Sequence, residues 1–206
     1  MAGTARRVRE TLPLFDPLAG ADQLQRALQQ FASSRTEGRP RSVSEMQALQ
    51  ELERGRRKLS IDMWEGFAAE AHKKYREERH APYRDVVPEV LALACGVRIA
   101  YVHGLWRSTY DPATRVAQIP PRADQQAQAF DLVHEVAESL CEGWGGTHAD
   151  TQWVAVALMV ERDVASAALN SHGLRGGVVA LSRTHRRIRR CFLWVRLAMI
   201  AAGGGD

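Results

Sequence analysis

The stretch ADTQWVAVALMVERDVASAALNSHG, residues 149–173, is apolar on nearly every side when wound as a helix. A helix of that kind cannot lie on a surface; other elements have to surround it. This narrows the chain to folds with a helix at their centre, and 206 residues are enough to build the enclosing layers. Hydrophobic residues at 45% and charged residues at 25% are the proportions of a globular chain that can supply them.

The enclosing elements are legible. SIDMWEGFAAEAHKKYREE starts at a candidate cap, Ser60, and places Met63, Phe67, Ala71 and Tyr75 at intervals of four, which predicts an amphipathic helix. YRDVVPEVLALACG predicts a second, with Val87, Val90, Leu91 and Ala94 as its apolar stripe and Gly96 as its stop. Val97, Ile99 and Tyr101 then alternate, YDPAT turns, and RVAQI alternates again, a pattern that predicts a small antiparallel sheet. RADQQAQAFDLVHEVAESLCEGWGG predicts a helix closed by Gly143, Gly145 and Gly146, and VVALSRTHRRIRRCFLWVRLAMIA one basic helix or two short ones. The expected fold class is α+β, mostly helical, as one domain over residues 58–206. Residues 1–57 are different: rich in Arg, Gln, Ser and Glu, with the linker-like SSRTEGRPRS in the middle. They are expected to form a polar, partly helical N-terminal extension without its own core, with short helices at about 21–32, where Leu24, Leu28 and Phe31 keep helical spacing, and at about 43–57.

The net charge of +4 permits contact with nucleic acid without arguing for it. Cys95, Cys141 and Cys191 form no C-x-x-C pair, so reduced, buried thiols are expected rather than disulfides or a cysteine zinc site. The leading MAGTARRVRETLPLFD has no continuous apolar core, and CFLWVRLAMIAAGGG is short and interrupted by Arg196. A cytoplasmic protein without a membrane span is the expectation.

Chemistry concentrates in FDLVHEVAESLCE. On a helix, His134 and Glu138 stand one above the other, about 6 Å apart, and can share a metal ion. Glu135 is turned about 100° away, beside such an ion, where a carboxylate can take a proton from water. The string begins like the zinc-peptidase pattern H-E-x-x-H but carries Glu138 in place of the second histidine. A carboxylate is an admissible zinc ligand. A third ligand has to come from elsewhere, and the next helix offers two candidates: Glu161, which shares a side with Val154, Leu158, Ala165 and Ala168, and Asp163, which borders the other side near Val156, Val160 and Ala167. The plainer reading makes Glu135 and Glu138 a solvated helix face. His72, His80, His103, His172 and His185 read as packing or surface residues; His148, at the head of the Glu161 helix, is the histidine placed to replace the missing imidazole.

The order of these segments, from about residue 61 to 200, resembles the ImmA/IrrE family of metallopeptidases, intracellular bacterial and phage enzymes that cut transcriptional repressors. PEVLALACGVRIAYV is similar to that family's first helix, glycine and strand, GLWRSTYDPATRVAQIP to its hairpin, and FDLVHEVAESL to its F-x-x-A-H-E-x-x-H helix. ERDVASAAL is similar to its E-x-E-A-N-x-F-A-x-x-L helix. The resemblance implies a zincin-like domain with a Zn²⁺ cofactor held by His134, Glu138 and Glu161, the last preferred to the runner-up Asp163 as the match to the family's downstream acidic ligand, with Glu135 as general base. It also implies a protein substrate such as a DNA-binding repressor. The sequence departs from the family pattern at Val133, at Glu138 and at Val164–Ala165. A His, Glu, Glu ligand set cancels the charge of the ion and polarises less, so weak activity, another divalent metal or none is the consequence to test.

Three further functions compete with the metal-dependent endopeptidase. One is a catalytically inactive relative that binds a partner without cutting it. The second is nucleic-acid contact through Arg183, Arg186, Arg187, Arg189 and Arg190, set against a solvated basic face on a helix packed through Ile188, Phe192 and Val195. The third is docking of ETLPLFDPL, with Leu12, Leu14 and Phe15, which resembles the short peptides that bind the bacterial replication sliding clamp, although Thr11 stands in place of their glutamine.

Overall fold

The computed structural model describes residues 43–55, 57–79 and 86–203. The elements in chain order are α1 (Val43–Arg54), α2 (Ile61–Arg79), α3 (Pro88–Ala94), β1 (Arg98–Tyr101), β2 (Thr109–Asp111), β3 (Val116–Ile119), α4 (Gln125–Cys141), α5 (His148–Met159), α6 (Arg162–Thr184) and α7 (Arg190–Gly203). The expected helix at 21–32 and the Leu12–Phe15 segment lie outside the described residues.

The centre is α5. Every residue from Ala149 to Met159 is buried, as a helix apolar on all sides demands. It is walled by α1, α2, α4 and α7. Trp64 of α2 stacks on Trp153 of α5 with ring centres 5.1 Å apart, and Phe130 of α4 stacks on Phe192 of α7 at 4.4 Å. The buried stripe of α2 is Trp64, Ala68, Ala71 and Tyr75, one residue round from the predicted one; Met63 and Phe67 are half-buried. The thiols of Cys95, Cys141 and Cys191 are free and buried, and burial pushes them up to about 11, 11 and 12.

Two expectations are corrected. The sheet is mixed, not antiparallel: β2 and β3 form the hairpin, but β1 runs parallel to β3 in the order β1-β3-β2. The seven residues between β1 and β2 reverse the chain across an empty slot, and β3 then fills it. The long apolar stretch is also two helices rather than one. Val160 turns to extended backbone (φ −140°, ψ 125°), and its carbonyl accepts a hydrogen bond from Arg196 Nε of α7 at 2.9 Å. Glu161 then holds the N-cap position of α6 without a side-chain capping bond, and Asp163 lies in its first turn, where a negative charge is favoured. A further kink divides α6 at Gly173, whose φ of 66° suits a residue without a side chain.

The helix expected at 43–57 ends at Arg54 and packs on α4 and α5. Ala48 and Leu52 are buried in the common core. Glu45, fully buried, pairs with Arg189 Nε; Arg189 also reaches Asp124 Oδ2 at 2.6 Å and Gln126 Oε1 at 3.0 Å. Among the described residues no helix is long and apolar enough to cross a membrane.

Candidate metal centre

The site is built on α4, which starts at Asp124, whose carboxylate accepts from the Gln126 and Ala127 amides at 3.0 and 3.2 Å. Asp131, Leu132, Val133, His134, Glu135, Val136 and Ala137 are all buried, because the sheet and α3 cover one side and α5 the other. Glu138, one turn on, is half-buried at the rim. One donor atom each from His134, Glu135 and Glu138 lie within 4.8 Å of one another.

Within this group His134 Nδ1 is 3.1 Å from Glu135 Oε1, and the same oxygen accepts a short hydrogen bond from the Ser108 hydroxyl. That leaves His134 Nε2 and Glu135 Oε2, both buried, without a hydrogen-bond partner. Buried polar atoms rarely stay unsatisfied unless something else binds them. Imidazole held by a carboxylate on one nitrogen presents the other to a metal.

The electrostatics agree. Burial works against a charge on His134, yet its hydrogen bond to Glu135 and the charges of Glu135, Glu138 and Asp131 outweigh it and raise its pKa. Burial, then the neighbouring Glu135 charge, raises Glu138. Burial, then the positive His134, lowers His148. The cluster thus draws in positive charge, and a divalent cation competes with protons for these same donors.

A cleft of about 400 Å³ opens over the group. Its walls include Gln47 from α1, Arg107 and Ser108 before β2, Thr109 and Tyr110 on β2, and His148 and Gln152 on α5. The loop carrying Ser108 is fixed by Arg122, which pairs with Asp131 Oδ2 at 2.5 Å and reaches the Trp106 carbonyl at 3.4 Å. Arg107 lies over the exposed Trp106 ring at 4.8 Å.

The structure brings His134, Glu135 and Glu138 together but does not bring Glu161 to them. Glu161 pairs with Arg76 and lines a separate cleft, with Asp163, at the far end of α5. The twelve residues of α5 put roughly 16 Å between its two ends. His148, at the near end, has its ring centre 5.0 Å from that of His134. His72 and His185 are buried, and His103 and His172 are exposed, away from the cluster; His80 lies outside the described residues. Ser108, Arg107 and the Arg122–Asp131 pair carry no periodic or motif signal that sequence reasoning could have used. Of the arginine run, Arg189 is buried in ion pairs, Arg187 meets Glu89 at 3.3 Å, and Arg186 to Arg189 form a turn between α6 and α7. Ile188, Phe192 and Val195 are buried.

Comparison with protein-family models, with curated proteins and with solved structures finds no match for this chain.

Proposed function

We propose that the cleft is the centre of a divalent-metal-dependent hydrolase that cuts a peptide chain, with His134 and Glu138 as ligands and Glu135 as general base. The observation that carries this reading is the pair of buried, unsatisfied atoms, His134 Nε2 and Glu135 Oε2, beside a third carboxylate in an open cleft. Imidazole and carboxylate suit Zn²⁺, with Mn²⁺ and Fe²⁺ as neighbours in preference. A cation bound there supplies acidification of a water molecule and polarisation of the scissile carbonyl. Glu135 takes the proton from the attacking water and returns it to the leaving amine as the C–N bond breaks. Ser108 and His134 hold one oxygen of that carboxylate, so the other is free for the proton. An extended peptide suits the cleft because β2 is an edge strand and two of its residues form the wall. The segment order that resembles ImmA/IrrE peptidases points to a folded protein such as a repressor as substrate.

The test is metal binding together with hydrolysis of a quenched fluorescent peptide library. The expected result is one equivalent of Zn²⁺ or Co²⁺, raised thermal stability on loading, and reversal of both by chelator. Glu135→Gln should keep the metal and lose at least about 100-fold in rate. His134→Ala should lose both. A purified chain indifferent to Zn²⁺, Co²⁺ and Mn²⁺ overturns the proposal. A second reading, a partner-binding protein without activity, is favoured by the placement of Glu161 outside the site. Metal binding with no hydrolysis across the library would support it.

A further inference from the structure

We propose that His148 is the second imidazole ligand of this cation site, and that Glu51 of α1 orients it. The inference rests on the metal reading above and supplies the ligand that Glu161 does not.

Geometry is the first ground. A metal sits about 3.2 Å from the ring centre of an imidazole whose nitrogen binds it, so two imidazoles on one ion have centres about 4.5 Å apart at octahedral angles and about 5.2 Å at tetrahedral ones. The rings of His134 and His148 are 5.0 Å apart, inside that interval. They are steeply inclined, by 76°, so they do not stack face to face.

The second ground is the partner on each ring. His134 has Glu135 on Nδ1 and an orphaned Nε2. His148 has Glu51 Oε2 at 3.4 Å on Nε2, and among the described residues no hydrogen bond is made by its Nδ1. His134 thus has one nitrogen on a carboxylate and the other unsatisfied, and Glu51, within ion-pair distance of His148 Nε2, is placed to do the same for the second ring, the arrangement by which proteins fix the tautomer of a metal-binding histidine.

The third ground is a rigid base beneath a loosely held ring. His148 opens α5 directly after Thr147, whose side chain and that of Asp150 make reciprocal capping bonds. Asp150 also accepts from the Lys58 and Leu59 amides at 3.1 Å each and from Trp64 Nε1 at 3.2 Å. The backbone of His148 is therefore fixed. Among the described residues its ring has two polar contacts, both at Nε2 and both 3.4 Å long: the Glu51 carboxylate, which an Nε2–H would face, and the Gln152 amide nitrogen, which would need Nε2 as acceptor, so the proton on Nε2 selects Glu51. His148 is not among the donors that already lie within 4.8 Å of one another, but its ring centre is 5.0 Å from that of His134 and its side chain is the loosely held one.

The experiment is Co²⁺ titration of the full chain, read by visible absorption and by X-ray absorption at the cobalt edge. The wild type should bind one ion with two imidazoles. His148→Ala should weaken binding roughly 10–100-fold with loss of one imidazole, Glu51→Gln about 10-fold, and Glu161→Gln not at all. His148→Cys should restore binding and add a thiolate-to-cobalt charge-transfer band in the near ultraviolet, which no purely structural role at position 148 would produce. Wild-type affinity and spectrum in His148→Ala, with no new band in His148→Cys, overturn the assignment while leaving the metal reading intact. No Co²⁺ binding by the wild type overturns both.

Discussion

His72 shows how one side chain can set the acid tolerance of the core. It lies on α2 against α5, and burial first, then the Arg196 charge, lower its pKa from 6.5 to about 4. Between those values the unfolded chain accepts a proton that the folded ring refuses. Its contribution to stability is fully present above pH 6.5 and is lost as pH falls toward 4, by about 3 kcal/mol in total. Urea unfolding of the wild type and of His72→Gln, which keeps a donor for the α5 carbonyls, should show a smaller loss between pH 7 and pH 4.5 in the variant. Equal losses would place the acid sensitivity elsewhere. Legibility at this scale was uneven. His134, Glu135 and Glu138 are one turn of one helix, so their convergence follows from spacing alone. Glu161 is a candidate only if one helix continues past Val160 and if ERDVASAAL matches the ligand helix of the family it resembles; the backbone at Val160 is extended instead. Once α5 is known to end there, the imidazole at its other end becomes the neighbour.

At the scale of elements, apolar periodicity predicts α2, α3, α4, β1 and β3 within a few residues, whereas β2 overlaps YDPAT, which reads as a turn. It could not predict interruption by a tertiary contact. Arg196 comes from α7, 36 residues after Val160, and its bond to that carbonyl is not encoded in the local pattern. The pairing partner of β1 was hidden for a similar reason: alternation marks a strand but not its direction relative to a strand it has yet to meet. Asp150 tests how far such contacts control the elements. Its carboxylate, held below the usual range because the donors from Thr147, Leu59 and Lys58 outweigh its burial, joins the start of α5 to the approach to α2. Asp150→Ala removes a cap and leaves several buried donors unsatisfied, so a loss of roughly 3 kcal/mol is expected in chemical denaturation. A loss under about 1 kcal/mol would mean that water replaces the carboxylate at little cost.

At the scale of the whole molecule, α1 packs on α4 and α5, although it lies in the stretch whose composition reads as a polar extension. Among the described residues its buried apolar side chains are Ala48 and Leu52, beside the buried Glu45, too little to stand out in a sequence dominated by charged and amide side chains. What anchors it is Arg189 against Glu45 and Asp124. Arg189→Ala takes away the guanidinium against which Glu45 is buried and should cost about 3–5 kcal/mol, with new protease cleavage within residues 43–54. Pairing Arg189→Met with Glu45→Leu should recover most of that loss, since an apolar pair of similar volume needs no counter-charge. If the double variant is as unstable as the single one, the anchor lies in the contact with Asp124. The strand bordering the cleft has a different consequence. With three residues, β2 offers an edge only about 10 Å long. A polypeptide laid along it would be gripped through its main chain over roughly three residues, a footprint too small to distinguish one protein from another. Discrimination would then fall to whatever meets Trp106 and Arg107 just beyond the strand.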